Sequence, residues 1–295
     1  MTVETLRQKL SQVGYIADDA LATTVWLMQQ LQRPLLLEGD AGVGKTALAG
    51  ALAEALNTDL IRLQCYEGIE IHQALYDWNI PAQLLNLKLA ESQNIGLDAQ
   101  DLYSEAYLIE RPLLLALRAQ RPPVLLIDEV DRADEAFEAF LLELLSEYQI
   151  SIPELGTIRA HIQPLVILTA NATRSLSDAL RRRCLYYYLD YPSLEHELTI
   201  LRNTAPTLND ELSLHVVRLV HGLRGRPLRK KPGIAETIDL AASLKALGVP
   251  NLQPMYLAAL KAALPSIIKT RDDQALLEDA TLADLMATVL HHHVR

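Results

Sequence analysis

Gly39-Asp40-Ala41-Gly42-Val43-Gly44-Lys45-Thr46 is a stretch built to wrap backbone N–H groups around phosphates. It fits G-x-x-x-x-G-K-[ST], with Gly39, Gly44, Lys45 and Thr46 at the defining positions. Before it, Pro34-Leu35-Leu36-Leu37-Glu38 reads as a short buried strand. After Thr46 comes Ala-Leu-Ala-Gly-Ala-Leu-Ala-Glu-Ala-Leu, a run of strong helix formers. A strand, a Gly-rich turn and a helix N-terminus aim several amide donors and the positive end of a helix dipole at one point. The competing reading is a Gly-containing turn that matches by chance, and the correct flanks weigh against it.

Working outward, strand-like runs recur at 34–38, 60–65, 124–127, 165–169 and 186–189, with helical patterns between most of them. That alternation is the signature of a parallel sheet with helices on both faces. Residues 3–12 and 17–31 read as two helices ahead of the phosphate loop. Phe137, Phe140, Leu141, Leu144, Leu145 and Tyr148 recur at helical spacing, which places a buried helix after the third strand. Past Asp190-Tyr191-Pro192-Ser193 the strand signals stop. Segments near 193–203, 209–224, 233–247, 253–264 and 281–290 all read as helices, with Ser193 as a cap for the first. The expected organisation is therefore an α/β domain over residues 1–191 and a smaller all-α domain over 192–295. The run His291-His292-His293 reads as a solvated tail.

Composition narrows the function classes. Half of the 295 residues are hydrophobic, 22% are charged and 5% aromatic, an ordinary globular balance. The formal charge is −10, from 27 basic and 37 acidic residues. That balance works against non-specific binding to DNA or RNA, which needs basic surface to displace counterions. No apolar stretch approaches the roughly 20 residues that span a bilayer, and the N-terminal segment lacks a signal peptide's apolar core. Cys65 and Cys184 lie far apart without metal-ligand spacing, as free thiols in a reducing compartment do. The expected location is the cytoplasm.

A second motif, Val124-Leu125-Leu126-Ile127-Asp128-Glu129, ends an apolar run in adjacent carboxylates. Consecutive residues at a strand's end point to opposite sides, so the two acids can divide the work. Asp128 is placed to hold Mg²⁺ beside the Thr46 hydroxyl, and Glu129 to orient and deprotonate an attacking water. Leu168-Thr169-Ala170-Asn171 ends another strand, so Asn171 is expected at the same sheet edge, where open α/β sheets bind ligands. It is suited to hydrogen-bond both the water and a γ-phosphate; alone, it would read as a turn residue closing a strand. Then Ala179-Leu180-Arg181-Arg182-Arg183-Cys184 places three arginines before the last strand, a costly cluster unless anions or acidic partners face it.

This ordered set resembles the AAA+ ATPases and, within them, the MoxR-type chaperone-like ATPases. The resemblance rests on Gly39–Thr46 (Walker A), Leu125–Glu129 (Walker B) with Val130-Asp131-Arg132-Ala133 after it, Asn171 (sensor 1) and the Ala179–Cys184 arginine segment. The stretch from Leu142 to Gly156 is also similar to MoxR proteins, in which a run matching Glu147 to Ile150 leads into a hairpin before the sensor-1 strand. The resemblance implies a five-stranded parallel αβα sandwich, a helical lid, a helix-2 insertion at about 66–121 and a hairpin at about 149–163. It also implies a ring, usually a hexamer, with ATP and Mg²⁺ held between subunits. By position, Gly39, Asp40, Ala41, Gly42, Val43, Gly44, Lys45, Thr46 and Asp128 would bind nucleotide, with Thr46 and Asp128 on the metal. Lys45, Glu129, Asn171 and Arg183 would carry catalysis, with Arg183 the arginine finger and Arg182 its alternative. Val13-Gly14-Tyr15-Ile16 resembles the adenine-side segment, which puts Tyr15 and Ile16 near the base. Many relatives carry a sensor-2 arginine early in a lid helix. Ala235 falls there in this chain, leaving Lys230 or Lys231 as a substitute cation. Trp78, in the insertion, reads equally as a loop residue gripping a client and as core.

The function that follows is ATP-driven remodelling or activation of a client protein, such as enzyme or metal-cofactor maturation, often with a von Willebrand factor A domain partner. The alternative within the same superfamily is a nucleic-acid motor or loader, which the acidic charge and the lack of a recognisable DNA-binding module oppose. A non-hydrolysing scaffold would not need Glu129 and Arg183, and a small-molecule kinase would not need the full set.

Overall fold

A computed structural model of the protein describes residues 1–93 and 99–291. His292 and His293 of the histidine run lie outside the described residues, as do 94–98 of the expected insertion. The chain divides into two compact units. One comprises Met1–Val13, Ala17–Gly39 and Lys45–Tyr188; the other comprises Gly14–Ile16, Asp40–Gly44 and Leu189–Arg295.

The first unit opens with α1 (Val3–Gln12), α2 (Asp19–Leu31), β1 (Leu35–Glu38), α3 (Lys45–Leu56) and β2 (Leu60–Gln64). It continues with α4 (Ile71–Ala74), β3 (Tyr76–Trp78), α5 (Ile80–Gln93), α6 (Ala99–Leu102), β4 (Leu108–Glu110) and α7 (Pro112–Arg118). The remainder is β5 (Val124–Asp128), α8 (Glu135–Glu147), β6 (Gln149–Ile152), β7 (Gly156–Arg159), β8 (Leu165–Ala170), α9 (Asp178–Arg183) and β9 (Leu185–Tyr188).

Five of these strands form one parallel sheet in the order β2-β5-β8-β1-β9, so the α/β sandwich expected from the sequence is the observed fold. The central strands are mostly apolar because both faces are covered. Leu35, Leu36 and Leu37 of β1 and Leu126 and Ile127 of β5 are fully buried. Burial of each such side chain contributes roughly 1.5–3 kcal/mol. Since the strands run parallel, β1, β5 and β8 all end at one sheet edge, and Gly39, Glu129 and Asn171 follow directly. Two antiparallel hairpins accompany the sheet: β3 with β4, and β6 with β7. The second begins at Gln149, where the α8 C-cap residue Tyr148 turns through a left-handed conformation (φ 49°).

The second unit is helical: α10 (Leu194–Thr204), α11 (Asp210–Arg224), α12 (Ile234–Ala246), α13 (Leu257–Ala263), α14 (Arg271–Ala275) and α15 (Asp279–His291). Side-chain caps start its helices where the sequence offers them. Ser193 accepts from the His196 N–H at 3.3 Å and Asn209 from the Leu212 N–H at 2.6 Å. Val216, Val217, Leu219, Val220 and Leu223 of α11 form the centre of its apolar core. Among the described residues, no helix is long and apolar enough to cross a membrane.

Candidate active site

At the carboxyl edge of the sheet, the Asp128 carboxylate collects donors from three elements. The Thr46 hydroxyl on α3 reaches Oδ1 at 3.1 Å, and the Thr169 hydroxyl on β8 donates to the same oxygen at 2.5 Å. From β2 the Arg62 guanidinium bonds Oδ2 at 2.6 Å and the Gln64 side-chain oxygen at 2.6 Å. Asp128 is 3% exposed, whereas the Arg62 side chain is half exposed. Lys45, buried at the start of α3, donates from Nζ to the Gly39 carbonyl at 2.8 Å. A hydroxyl and a carboxylate converging within 3.1 Å are the hard oxygen donors that Mg²⁺ takes, so these residues fit the ion.

Glu129 departs from simple strand alternation. β5 ends at Asp128, and Glu129 adopts a left-handed conformation at φ 54° and ψ 48°. A non-glycine residue pays about 1–3 kcal/mol for such backbone geometry. The Thr169 hydroxyl accepts the Glu129 N–H at 2.9 Å while donating to Asp128, and so couples the two acids. The Glu129 carboxylate lies 3.1 Å from Arg132. Beneath them Cys65 donates its N–H to the Asp128 carbonyl. Burial, with Asp128, Asp131 and Glu129 nearby, pushes its thiol up to about 12, so it stays protonated and inert.

Asn171 follows β8 directly, and its position is set by a residue that spacing alone does not single out. Asp131 is buried, and its Oδ2 accepts the N–H groups of Asn171 (3.0 Å) and Thr173 (2.9 Å) and the Thr173 hydroxyl (2.6 Å). Ala172 between them is left-handed at φ 56°. The Asn171 side chain, half-buried, makes no hydrogen bond among the described residues.

The three arginines separate. Arg181 pairs with Glu38 at 3.2 Å and lies 6.0 Å from the Tyr186 ring centroid. Arg182 and Arg183 are exposed, and neither side chain has an ion pair or hydrogen bond among the described residues. Their carbonyls are occupied by Arg33, which donates to Arg182 O at 2.7 Å, Arg183 O at 3.2 Å and Cys184 O at 3.2 Å.

Within the second unit, Gly42 and Gly233 meet face to face. A Cβ on Gly233 would lie 2.7 Å from the Gly42 carbonyl oxygen, and a Cβ on Gly42, itself at φ 81°, would lie 3.1 Å from Gly233 Cα. The Ile234 N–H bonds the Gly42 carbonyl at 2.9 Å. Tyr15 lies about 4.0 Å from the Cβ position of Gly44, and the Ile16 carbonyl is 2.9 Å from His196 Nε2. The first turn of α12 carries an acid beside the loop: Glu236 accepts the Gly233 N–H at 3.1 Å and lies 3.3 Å from the Cβ position of Gly42. Lys231 is exposed two residues before Gly233, with no ion pair among the described residues. Tyr191 has its phenol pushed up to about 12, by burial first and then by Asp40.

Sequence reasoning missed Arg33, Arg62, Asp131 and Thr169 as parts of this region. Thr169 and Asp131 stood inside quoted motifs, and a buried polar side chain in an apolar run was the available signal. Arg33 and Arg62 carry no local signal. In the insertion, Trp78 packs edge-on to Tyr76 (centroids 5.9 Å apart) and Tyr103 (5.3 Å) against the core, so it is packing rather than a presented loop residue. On α5 the polarity is inverted. Gln83 is buried, while Ile80, Leu84, Leu85 (62%) and Leu89 are exposed.

Comparison with known proteins bears on this arrangement. Residues 34–184 match the family model described as AAA domain (dynein-related subfamily). A Staphylococcus epidermidis protein described as uncharacterized is 24% identical over 258 residues, covering 84% of this chain and 89% of its own length. A Staphylococcus saprophyticus protein, described in the same way, is 22% identical and covers 92% and 99%. Among solved structures, the RuvB Holliday junction branch migration motor of Thermotoga maritima has a TM-score of 0.47 at 20% identity, over 94% of this chain and 73% of that one.

Proposed function

The chain belongs to the AAA domain family, dynein-related subfamily, and on that premise we propose that it is a MoxR-like ATPase working between its own copies. It hydrolyses ATP with Mg²⁺ to remodel or activate a client protein. AAA+ proteins are ATPases. The observation that carries the proposal is the division of the arginines: Arg181 is neutralised at home by Glu38, while Arg182 and Arg183 stand exposed and unpaired. Two unneutralised guanidinia at a helix end suit an anion supplied from elsewhere, and the γ-phosphate of a neighbouring subunit is such an anion.

In this reading Gly39 to Thr46 wraps the triphosphate and Lys45 leaves the Gly39 carbonyl for the phosphates. Thr46 and Asp128 would hold Mg²⁺, which neutralises charge on the phosphates when bound. Glu129, fixed through its N–H by Thr169, takes the proton of the attacking water. Asn171, aimed by Asp131, orients that water and the γ-phosphate. Arg183, or Arg182 beside it, stabilises the transition-state charge from the next subunit, worth a factor of ~10³–10⁵ in other phosphoryl transfers. Tyr15 and Ile16 would adjoin the base, and Lys231 would be the lid cation. The expected domains are 1–191 and 192–295.

The hairpin β6–β7, directly after Glu147 and ahead of β8, supports the MoxR assignment. The exposed apolar residues of α5 support a partner-binding role for the insertion. A hexameric ring and a von Willebrand factor A domain partner follow from the family resemblance, and the free, buried Cys65 and Cys184 suit a cytoplasmic setting. The test is steady-state ATP hydrolysis combined with light scattering at rising protein concentration. Specific activity should climb with assembly and vanish in Arg182→Ala/Arg183→Ala. Activity independent of assembly would defeat the proposal, and strong stimulation by DNA at physiological salt would favour a nucleic-acid motor.

A further inference from the structure

Arg33 sits in a three-residue joint between α2 and β1, at a place where its freedom is small. Gln32 before it is the left-handed C-cap of α2, the Arg33 N–H bonds the Met28 carbonyl at 3.3 Å, and Pro34 follows. A residue before proline is confined to extended backbone. The Pro34 carbonyl in turn accepts the Leu185 N–H at 2.7 Å, which pins the start of β9 beside this joint.

From that fixed point the Arg33 side chain crosses to the end of α9. Its planar fork donates from Nε and Nη2 to the last carbonyls of the helix and its cap, Arg182, Arg183 and Cys184. A helix C-terminus exposes carbonyls without intrahelical partners and attracts cations. The choice of cation here is unusual, because the same turn already carries Arg181, Arg182 and Arg183. Placing a fourth guanidinium there raises the local repulsion, so its bonds to the carbonyls must outweigh that cost. They fix the backbone of the two residues whose side chains are unpaired.

We propose that Arg33 is a positioning residue for the trans-acting arginines: it locks the α9 C-terminus so that Arg182 and Arg183 project at a set place toward a neighbouring copy. The inference rests on the reading above that one of these arginines completes the site of the next subunit. Without Arg33 three carbonyls lose their partner, the last turn of a six-residue helix loosens, and the projecting guanidinia lose their register.

The test uses full-length chain. Arg33→Gln should lower kcat about 10- to 100-fold, the range a 1 Å misplacement causes, with binding of a fluorescent ATP analogue unchanged within about twofold. The informative readout is mixing. Lys45→Ala has a disabled nucleotide site but intact Arg33, Arg182 and Arg183, so an equimolar mixture with Arg33→Gln should regain hydrolysis that neither has alone. A mixture of Arg33→Gln with Arg182→Ala/Arg183→Ala should not. Arg33→Lys, which keeps the charge but not the fork, should show a smaller loss with the same rescue, and it carries the test if the glutamine variant does not fold. Full activity in Arg33→Gln, or a loss that Lys45→Ala does not rescue, overturns the proposal. If Arg182→Ala/Arg183→Ala itself hydrolyses ATP at the wild-type rate, the trans-acting reading fails first, whatever Arg33 does.

Discussion

Asp128 in the first unit and Glu197 in the second are both buried carboxylates, and their surroundings are built to opposite ends. Glu197, 1% exposed, takes a bidentate pair from Arg224 at 2.5 and 2.7 Å, His221 at 2.8 Å and the Thr237 hydroxyl at 2.6 Å. Arg224 is itself buried, donates to the Pro232 carbonyl at 2.8 Å and lies 4.6 Å over the Tyr191 ring. Neither Glu197 nor Arg224 can be removed without stranding a buried charge. Asp128 has the Thr169 hydroxyl on one oxygen, the Thr46 hydroxyl shared between both and, on the second, an arginine whose side chain is half in solvent. Arg62, half in solvent, is the partner that a cation would have to displace from the carboxylate. The Glu197 partners form a closed set, whereas one partner of Asp128 faces solvent.

This contrast predicts a double dissociation, with the largest effect on the closed side. Glu197→Gln should destabilise the protein by about 3–5 kcal/mol, the usual consequence of breaking a buried ion pair, measured as a lower midpoint in urea. Loss of hydrolysis there should follow unfolding only. Asp128→Asn should do the reverse, lowering Mg²⁺-dependent turnover by about 10²–10³ with the unfolding midpoint nearly unmoved. A large stability loss in Asp128→Asn would erase the distinction. Between these sits Asp131→Asn, which loosens the Asn171 loop; kcat should fall about tenfold with KM for ATP held, as for a group acting in the transition state.

Arg62→Gln should have a small effect and the opposite sign. With the competing cation gone, nucleotide-dependent Mg²⁺ binding, read by calorimetry, should tighten about two- to fivefold. Stability should change by under about 1 kcal/mol, as expected for a half-exposed pair. Weaker Mg²⁺ binding would mean that Arg62 supports the ion rather than holding its place. The smallest signal is in pH. Burial raises the Glu197 pKa, but hydrogen bonds from His221, Arg224 and Thr237 outweigh it and hold it lowered. A depressed folded value means this stabilisation is complete above the ordinary glutamate value of 4.5 and is lost as pH falls through the folded value. Wild type should therefore show an acid-side decline in stability that Glu197→Gln lacks.

What could be read from the sequence divides along the same line of near and far. The sheet strands, the phosphate loop and the carboxylates after β5 rest on spacing within a few residues, and the helices of the second unit on local periodicity. The sheet strands match those runs within a residue or two, as do α10, α11, α12 and α15, whereas α13 begins only at Leu257 and α14 (Arg271–Ala275) had no counterpart among them. Three features resisted because they depend on distant partners. Arg62 reaches Asp128 from another strand, Arg33 reaches the α9 carbonyls from about 150 positions away, and Asp131 reaches over to 171–173. Alternation along β5 also failed at Glu129, because the strand stops one residue earlier and the backbone turns left-handed.

The strand order also sets a timetable for making the protein. β1 is near the start of the chain, but its neighbours are β8 and β9, with Leu35 opposite Ile167 on one side and Leu185 on the other. A ribosome releasing the chain from its N-terminus exposes the phosphate loop long before the strands that flank it exist. Pairings this far apart in sequence form late. Nascent chains cut short of residue 185 should fail to hold nucleotide, although they already carry every residue from Gly39 to Thr46.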